Sequence, residues 1–290
     1  MTSLSTDTVN STESDNGVDP QARFYTMGRN DAETRRLRMQ GVLYAEATRT
    51  LLLRAGLRAG LDVLDVGCGA GDVALAVADI VGPHGTVTAV DNDPQILKVA
   101  GERAAAAGAH NVTFTVGDVH DLRTDARFDA VVGRLILMHV ADPTATLARL
   151  ATLLRPGGTI AMQDFALSRA RTIPPGPYFE GAIGWIIDAV AAVGARPDAG
   201  DHLYRWFREA GFDEVNVFAV TPGGGDVDGL PLEVVAATVS SLAPLLTAHG
   251  LAAAEETQID RVRQNLVAEA KENSSVVFSP ELVGVWTTLR

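Results

Sequence analysis

Short apolar runs alternate with longer amphipathic stretches through the middle of the chain. Five runs have the length and the β-branched content of buried strands: residues 63–66, 86–90, 112–116, 128–132 and 159–164. Apolar residues at helical spacing fill the intervals, and Asp93-Pro94 and Asp142-Pro143 each pair a helix cap with a first-turn proline. Strands separated by helices predict parallel pairing through right-handed crossovers, with a ligand at the carboxyl ends of the strands.

Two regions before these strands differ in character. Residues 1–20 are rich in Ser, Thr, Asp and Asn and contain few apolar residues, which predicts a disordered tail. Residues 21–58 carry a helical apolar stripe and are expected to form an N-terminal helical lid. Residues 59–165 then form the ligand-binding core, and 21–290 as a whole are expected to fold as a single domain.

The pattern changes after the fifth strand. Residues 166–178 are expected to form a loop because they are rich in proline. Two helical insertions, at about 166–210 and 226–275, are expected to lie over the ligand as a cap. Further strands are predicted at 215–220 and 282–289, and three consecutive glycines after the first of these interrupt the chain.

The most informative segment is the turn after the first predicted strand. The sequence there is Leu-Asp-Val-Leu-Asp-Val-Gly-Cys-Gly-Ala-Gly-Asp over residues 61–72. Glycines at a strand-to-helix turn allow a sharp bend and let a ligand approach where a Cβ would clash. The alternating glycines Gly67, Gly69 and Gly71 therefore indicate a nucleotide-binding loop.

The spacing of these glycines separates related nucleotide sites. A dinucleotide fingerprint needs Gly-x-Gly-x-x-Gly, whereas here the third glycine comes one residue early and Asp72 stands at the usual third-glycine position. The Gly-Lys-Ser/Thr ending of a phosphate loop is absent from this turn. Asp65, just before the glycines, would repel phosphate and suits a ligand with a cationic amine.

The segment Asp65-Val-Gly-Cys-Gly-Ala-Gly71 resembles motif I of the class I S-adenosylmethionine-dependent methyltransferases. The resemblance continues through further elements in the family's order and covers residues 60–165 closely. These elements are Asp91 at the tip of the second strand, Gly117-Asp118-Val119, Gly133-Arg134-Leu135 and Leu154-Arg-Pro-Gly-Gly158.

The resemblance implies an α/β fold, with a Rossmann-like seven-stranded, mostly parallel sheet of order 3-2-1-4-5-7-6, helices on both faces and a helical cap. The last strand would lie antiparallel beside strand five. The implied function is methyl transfer from S-adenosylmethionine to a small organic acceptor, in specialised metabolism. The implied cofactor-binding residues are Tyr25, Arg36, Gln40, Asp65, Gly67, Cys68, Gly69, Gly71, Asp91, Asn92, Asp118, Val119, Arg134 and Leu135.

Three of these positions have specific expected roles. Asp91 would accept hydrogen bonds from the two ribose hydroxyls. Tyr25 lies in a segment that resembles one folding over the sulfonium, and a surface tyrosine is the alternative. Arg36 and Gln40 lie four residues apart on one helix face, from which Arg36 would reach the methionyl carboxylate, unless that face is simply solvated.

His139, Asp164 and Tyr25 are the candidate catalytic residues. Methyl transfer is an in-line displacement that depends mainly on positioning, so a base is needed only where the nucleophile must lose a proton. His139 is a candidate base near neutral pH, although the family often carries a histidine there without catalytic use. Asp164 would orient or deprotonate the acceptor, or else cap the following loop.

Composition narrows the partners. A net charge of −12 over 290 residues disfavours nucleic acid and anionic membranes, which leaves a small-molecule acceptor. The single cysteine, Cys68, excludes internal disulfides and thiolate metal clusters, and the scattered histidines predict no metal site. The first residues lack a basic and then apolar signal pattern, so a cytoplasmic location is expected.

Three other functions stay open on the sequence. A binding or cyclising scaffold without methyl transfer would keep the same cofactor fold. A nicotinamide oxidoreductase is disfavoured by the glycine spacing, and a protein methyltransferase by the long cap. A homo-oligomer through the N-terminal helix or the cap is a further expectation. One or two of the cap's aromatic and histidine side chains are expected to line the pocket, from among Tyr178, Trp185, His202, Tyr204 and Trp206.

Overall fold

The computed structural model describes residues 31–119, 122, 124–225 and 229–289. Its strands, in chain order, are β1 (Asp62–Val66), β2 (Thr86–Asp91), β3 (Val112–Val116), β4 (Phe128–Arg134), β5 (Leu154–Ala166), β6 (Arg171–Ile173), β7 (Asn216–Val220), β8 (Gly223–Gly224), β9 (Val276–Phe278) and β10 (Glu281–Thr288). The predictions for residues 1–20 and for Tyr25 lie outside the described residues.

Seven of these strands form the main sheet, in the order β3-β2-β1-β4-β5-β10-β7. Strands β1 to β5 pair in parallel, and β10 runs antiparallel to both β5 and β7. Counted in chain order within this sheet, β7 is the sixth strand and β10 the seventh. The predicted order 3-2-1-4-5-7-6 and the antiparallel last strand are therefore confirmed.

The helices, in chain order, are α1 (Asp31–Arg54), α2 (Asp72–Val81), α3 (Pro94–Ala107), α4 (Pro143–Ala151), α5 (Pro177–Ala192), α6 (Ala199–Glu209), α7 (Leu230–Ala248) and α8 (Ile259–Asn273). Both predicted caps are present. The Asp93 side chain accepts from the backbone N–H of Gln95 over 2.8 Å, and Asp142 accepts from that of Ala145 over 2.9 Å. Each cap fixes where a helix begins after a strand end.

A second, small sheet includes residues 171–173, predicted to be loop, and residues 223–224, predicted to interrupt the chain. Strand β6 pairs with β9, and β9 pairs with β8, all antiparallel. The loop prediction for 166–178 is therefore wrong at 171–173. Strands of two or three residues are too short to show a period of two, and their partners lie far apart in sequence. Gly223 belongs there because a Cβ would lie 2.7 Å from the Phe278 ring.

The cap consists of α5, α7 and α8, which pack against one another, while α1 packs against α7 and α2. Helix α6 instead packs on β5, β10 and α4. It therefore belongs to the helices that cover the main sheet, and the predicted cap insertion at 166–210 is wrong in that part. The physical reason is its face of buried residues at helical spacing, Leu203, Trp206 and Phe207, which needs the sheet to cover it.

Helix α7 is the one described helix long and apolar enough to cross a membrane by length and composition. A helix that packs in a protein core meets the same criterion, and α7 packs against α1, α5 and α8.

Candidate active site

A cavity of about 770 Å³ lies at the carboxyl ends of β1, β2, β4 and β5, and α1, α5 and α7 enclose it. This is the edge of the sheet at which the topology predicts a ligand. Its lining has two parts. One part consists of polar groups from α1, the glycine turn and the strand ends, and the other consists of apolar side chains from α5 and α7.

The glycine turn forms one side of the cavity through Gly67, Cys68, Gly69 and Ala70. Gly69 has a φ of 52°, and a Cβ built on it meets no heavy atom within 4 Å, so its backbone faces open space. Cys68 is buried, and burial together with the Asp65 carboxylate raises the pKa of its thiol. The thiol is therefore a small neutral group in the wall rather than a nucleophile.

Gly71 supports the turn from behind and is not in contact with the cavity. Its φ is 85°, and a Cβ there would lie 3.2 Å from the Cβ of Ala100 on α3. Direct contact of Gly71 with the cofactor stays a prediction. The residue is needed because the chain bends there to begin α2.

Asp91 lies at the end of β2 and faces the same space. Its Oδ2 accepts from the backbone N–H of Gly69 over 2.9 Å, and its Oδ1 accepts from that of Asp93 over 3.0 Å. Asp91 thus lies at the cavity beside the glycine turn, and its contact with a pair of ribose hydroxyls stays a prediction.

Arg134 places a cation at the end of β4. Its side chain is 9% exposed, its Nη1 donates to Thr48 Oγ1 over 3.1 Å, and its Nη2 lies 3.5 Å from Asp72 Oδ2. Burial lowers the pKa of Arg134, and the carboxylates of Asp72 and Asp65 oppose that shift. Asp72 also pairs with Arg103 over 2.6 Å, so two cations share one carboxylate.

Asp65 lies beneath the glycine turn and does not line the cavity. Burial raises its pKa to about 8, against the opposing effect of Arg134. Its side chain is enclosed with the core of the sheet, and contact between Asp65 and a ligand amine stays a prediction.

The α1 side of the cavity carries Arg36 and Gln40, as their spacing predicts. Arg36 Nη1 donates to Gln40 Oε1 over 2.7 Å. Leu135 also lines the cavity, with a φ of 59° that is uncommon for a residue other than glycine, and its N–H donates to the Gln163 carbonyl over 2.7 Å. Cofactor contact by these residues stays a prediction.

Three of the predicted cofactor-binding residues lie away from the cavity lining. Asn92 and Asp118 are exposed, Val119 is buried, and none of the three lines the cavity. The Val119 carbonyl instead accepts from the Arg149 guanidinium. The first turns of α3 contribute to the lining instead, through the side chains of Gln95, Ile96 and Val99. A strand end is visible in sequence, but the path of the loop after it decides which side chains point inward.

The two described catalytic candidates differ in position. His139 lines the cavity, and burial lowers its pKa to about 4, so the imidazole is neutral at pH 7 and a weak base. Asp164 is wholly buried and does not line the cavity, and its contact with an acceptor stays a prediction. Burial raises the Asp164 pKa to about 8, opposed by the backbone N–H groups of Leu137 and Met138, although neither reaches hydrogen-bond geometry.

Tyr44 is a lining residue that the sequence analysis did not single out. Its hydroxyl donates to the Pro280 carbonyl over 2.8 Å, and its ring lies 4.8 Å from the Phe165 ring, centroid to centroid. All three residues line the cavity. In sequence, Tyr44 is one more large residue in the apolar stripe of α1, so nothing distinguishes it from a core residue.

The sequence analysis also did not identify the residues that line the apolar half of the cavity. Helices α5 and α7 each present one stripe to it at helical spacing: Ile183, Ile186 and Val190 from α5, and Val234, Val235, Thr238, Ser241, Leu242, Leu245 and Ala248 from α7. None of the five predicted aromatic or histidine side chains of the cap lines the cavity. Both helices are apolar on more than one face, so periodicity alone does not identify the face that meets a ligand.

A family model described as a methyltransferase domain matches residues 57–211. The Nocamycin O-methyltransferase of Saccharothrix syringae is 34% identical over 154 residues, which are 51% of this chain and 52% of that protein. The ubiquinone biosynthesis O-methyltransferase of Xanthomonas axonopodis pv. citri (strain 306) is 40% identical over 104 residues, 35% of this chain and 42% of that protein. The chain thus spans about half the length of the curated relatives it matches.

A similar solved structure is the phosphoethanolamine N-methyltransferase 2 of Haemonchus contortus, in complex with phosphomonomethylethanolamine and S-adenosylhomocysteine. The match covers 84% of this chain and 53% of that chain, with a TM-score of 0.54 and 17% identity. At this identity the likeness concerns the fold alone.

Proposed function

This chain belongs to the methyltransferase domain family, whose model matches more than half of it, and we propose that it transfers a methyl group from S-adenosylmethionine to a small organic acceptor. One observation carries the proposal. A single cavity joins the open backbone of Gly69 and the Asp91 carboxylate to an apolar wall from α5 and α7. A cofactor and an acceptor would therefore meet within one enclosed space.

The residues present fit the cofactor by the chemistry of their donors and acceptors. Asp91 would accept from the ribose hydroxyls, because its carboxylate lines the cavity beside the glycine turn and a carboxylate is an acceptor. Arg36 and Arg134 would bind the methionyl carboxylate, since both are cations in the polar half of the lining. The apolar side chains of Ile96 and Val99 would contact the adenine.

S-adenosylmethionine supplies a methyl group on positively charged sulfur, so the carbon is already electrophilic. The chain's own task is then to hold the acceptor in line and to exclude water, and positioning of this kind contributes several kcal/mol to catalysis. Tyr44 and Phe165 pack against each other and both line the cavity, so they would help to hold a ligand in place. His139 offers a neutral imidazole there, suited to a hydrogen bond rather than to strong base catalysis.

We further propose that the acceptor belongs to specialised metabolism and that the enzyme works in the cytoplasm, without a membrane or nucleic acid partner. The acidic composition supports the absence of a nucleic acid or anionic membrane partner. The relative named for ubiquinone biosynthesis supports a quinone acceptor as the alternative to specialised metabolism. A homo-oligomer through α1 or the cap is part of the same proposal.

Calorimetric titration with S-adenosylhomocysteine, with NAD as the parallel ligand, tests the cofactor. Saturable binding of S-adenosylhomocysteine alone is expected. Mass spectrometry of acceptor mixtures incubated with the chain and S-adenosylmethionine should then detect a methyl-sized mass gain. A converted product without that gain would favour the cyclising scaffold, and binding of NAD alone would favour an oxidoreductase.

A further inference from the structure

The cavity lining is divided by charge. Four described lining residues carry a formal charge at neutral pH: Arg36, Asp72, Asp91 and Arg134. All four lie on α1, on the first turn of α2 or at the ends of β2 and β4, which is the half assigned above to the cofactor. Among the described residues, α5 and α7 contribute no charged side chain to the lining.

The apolar half is lined mainly by buried side chains. Ile183, Ile186 and Val190 of α5 are buried, as are Val235 and Leu242 of α7. The exposed lining residues at this end are Pro244, Ala248 and His249, in the last two turns of α7 and just beyond it, and Ala192 at the end of α5. An acceptor would therefore enter near the carboxyl ends of α5 and α7 and place its body among aliphatic side chains.

The polar groups in this half are few and neutral. Thr238 and Ser241 lie three residues apart on α7 and so share a face. The Thr238 hydroxyl donates to the Val234 carbonyl over 2.7 Å, so toward the cavity it offers an acceptor. With the neutral imidazole of His139, these hydroxyls suit a hydroxyl or carbonyl oxygen on a ligand.

A ligand charge placed in such a wall would lose its hydration without gaining an ionic partner. That loss carries a large free-energy penalty, whereas apolar surface gains from the same transfer. We propose that the acceptor is an uncharged, mainly apolar ring compound that carries hydroxyl or carbonyl oxygens and lies between α5 and α7. This rests on the proposed function, because it assigns the charged half of the cavity to the cofactor.

The test uses three probes with one ring system and different charge. The full chain is saturated with S-adenosylhomocysteine and titrated at pH 7 with 2-naphthol, 2-naphthoate and 2-naphthylmethylamine. The neutral naphthol is expected to bind at least about tenfold more tightly than either charged probe. Equal or tighter binding of the carboxylate or the ammonium would overturn the proposal.

A charged substitution in the apolar half of the cavity tests whether the naphthol binds there. Leu245 is partly exposed and lines the cavity, so Leu245→Glu should weaken naphthol binding about tenfold and favour the ammonium probe. Thr247→Glu adds the same charge on the exposed face of α7, outside the lining, and should change neither. Naphthol affinity unaffected by Leu245→Glu would overturn the assigned position.

Binding of S-adenosylhomocysteine distinguishes a failure of the proposed function from a failure of the proposed acceptor class. If the unsubstituted chain does not bind it, the proposed function fails. If it binds but the probes show no preference for the neutral ring, only the acceptor class fails. Where Leu245→Glu loses S-adenosylhomocysteine binding as well, it has disturbed the fold, and the probe series on the unsubstituted chain decides.

Discussion

The carboxylate of Asp91 accepts a hydrogen bond from the backbone N–H of Gly69 over 2.9 Å, and this contact joins the end of β2 to the glycine turn after β1. The same side chain accepts from the N–H of Asp93, the cap of α3. One carboxylate thus joins two loops at the carboxyl edge of the sheet, the glycine turn after β1 and the loop between β2 and α3. The position of the Asp91 carboxylate and the shape of the glycine turn both depend on the hydrogen bond from Gly69.

Replacement of Asp91 by alanine should weaken S-adenosylhomocysteine binding by roughly 10- to 100-fold, because hydrogen bonds to a charged group contribute about 1.5–3 kcal/mol. Calorimetric titration measures the change. Glu102→Ala is the matched control, since Glu102 is an exposed carboxylate on α3 outside the cavity lining. An unchanged affinity in a folded Asp91→Ala chain would contradict the ribose assignment.

Arg134→Met should weaken binding of S-adenosylhomocysteine by about tenfold or more and leave binding of 5′-methylthioadenosine nearly unchanged. The second ligand lacks the amino-acid portion that Arg134 would contact, so the pair of ligands isolates that contact. Calorimetry of both ligands gives the comparison.

Arg103→Met is the control for the Arg134 variant. Arg103 pairs with the same carboxylate, Asp72, but does not line the cavity. It should therefore affect S-adenosylhomocysteine binding much less. Equal losses from the two variants, or an equal loss of both ligands in Arg134→Met, would mean that Arg134 acts through the Asp72 network and not through a ligand carboxylate.

The strand ends illustrate how far sequence leads at this site. Asp91 and Asp164 both follow apolar runs at the carboxyl edge of the sheet, and the sequence predicts contact with a ligand for both, the cofactor for Asp91 and the acceptor for Asp164. Asp91 meets the glycine turn, whose N–H donates to it, and faces the cavity. Asp164 is covered by the segment that contains Leu137 and Met138. That difference depends on the path of a loop, which no local pattern encodes.

Local sequence patterns predict the main sheet and the glycine turn, because buried strands, capped helices and tight turns each depend on neighbouring residues. They do not predict pairings between residues far apart in the sequence, because such pairings depend on the overall fold. The pairing of Arg171 with Phe278 joins residues more than 100 positions apart, in strands of three residues each. The lining face of α7 likewise depends on where α1 and α5 pack, and its apolar residues do not mark it.

Asp164→Asn should change how stability depends on pH. Burial raises the folded-state pKa of Asp164 to about 8, above an ordinary value near 4. Between these values the folded chain binds a proton that the unfolded chain has released, so the free energy of unfolding falls as pH rises. Asparagine carries no such proton and removes this contribution.

Urea unfolding at pH 5 and pH 8 measures the effect. The Asp164→Asn chain should gain stability relative to the unsubstituted chain between these pH values, by at most roughly 1.4 kcal/mol per pH unit. Asp125→Asn, at an exposed position, should leave the difference between the two pH values unchanged. A constant difference between Asp164→Asn and the unsubstituted chain would show that Asp164 is ionised in the folded state.

Glu269 of α8 holds the first turn of α5. Its Oε1 accepts from the Tyr178 N–H over 2.7 Å, and its Oε2 accepts from the Phe179 N–H over 2.9 Å. These are orphan donors at a helix N-terminus, where a negative charge is also favourable. Gly176 allows the approach, since a Cβ there would lie 2.3 Å from a Glu269 oxygen.

Glu269→Gln keeps the shape of the side chain but loses the charge and one acceptor oxygen, so it should destabilise the chain by about 1–2 kcal/mol. Amide hydrogen exchange should accelerate in the first turns of α5, and 2-naphthol should bind more weakly because α5 forms one wall of the apolar half. S-adenosylhomocysteine binding should be retained, since Glu269 does not line the cavity. Glu272→Gln, exposed on the same helix, is the control. If both variants exchange alike in α5, the cap helix is held by apolar packing alone.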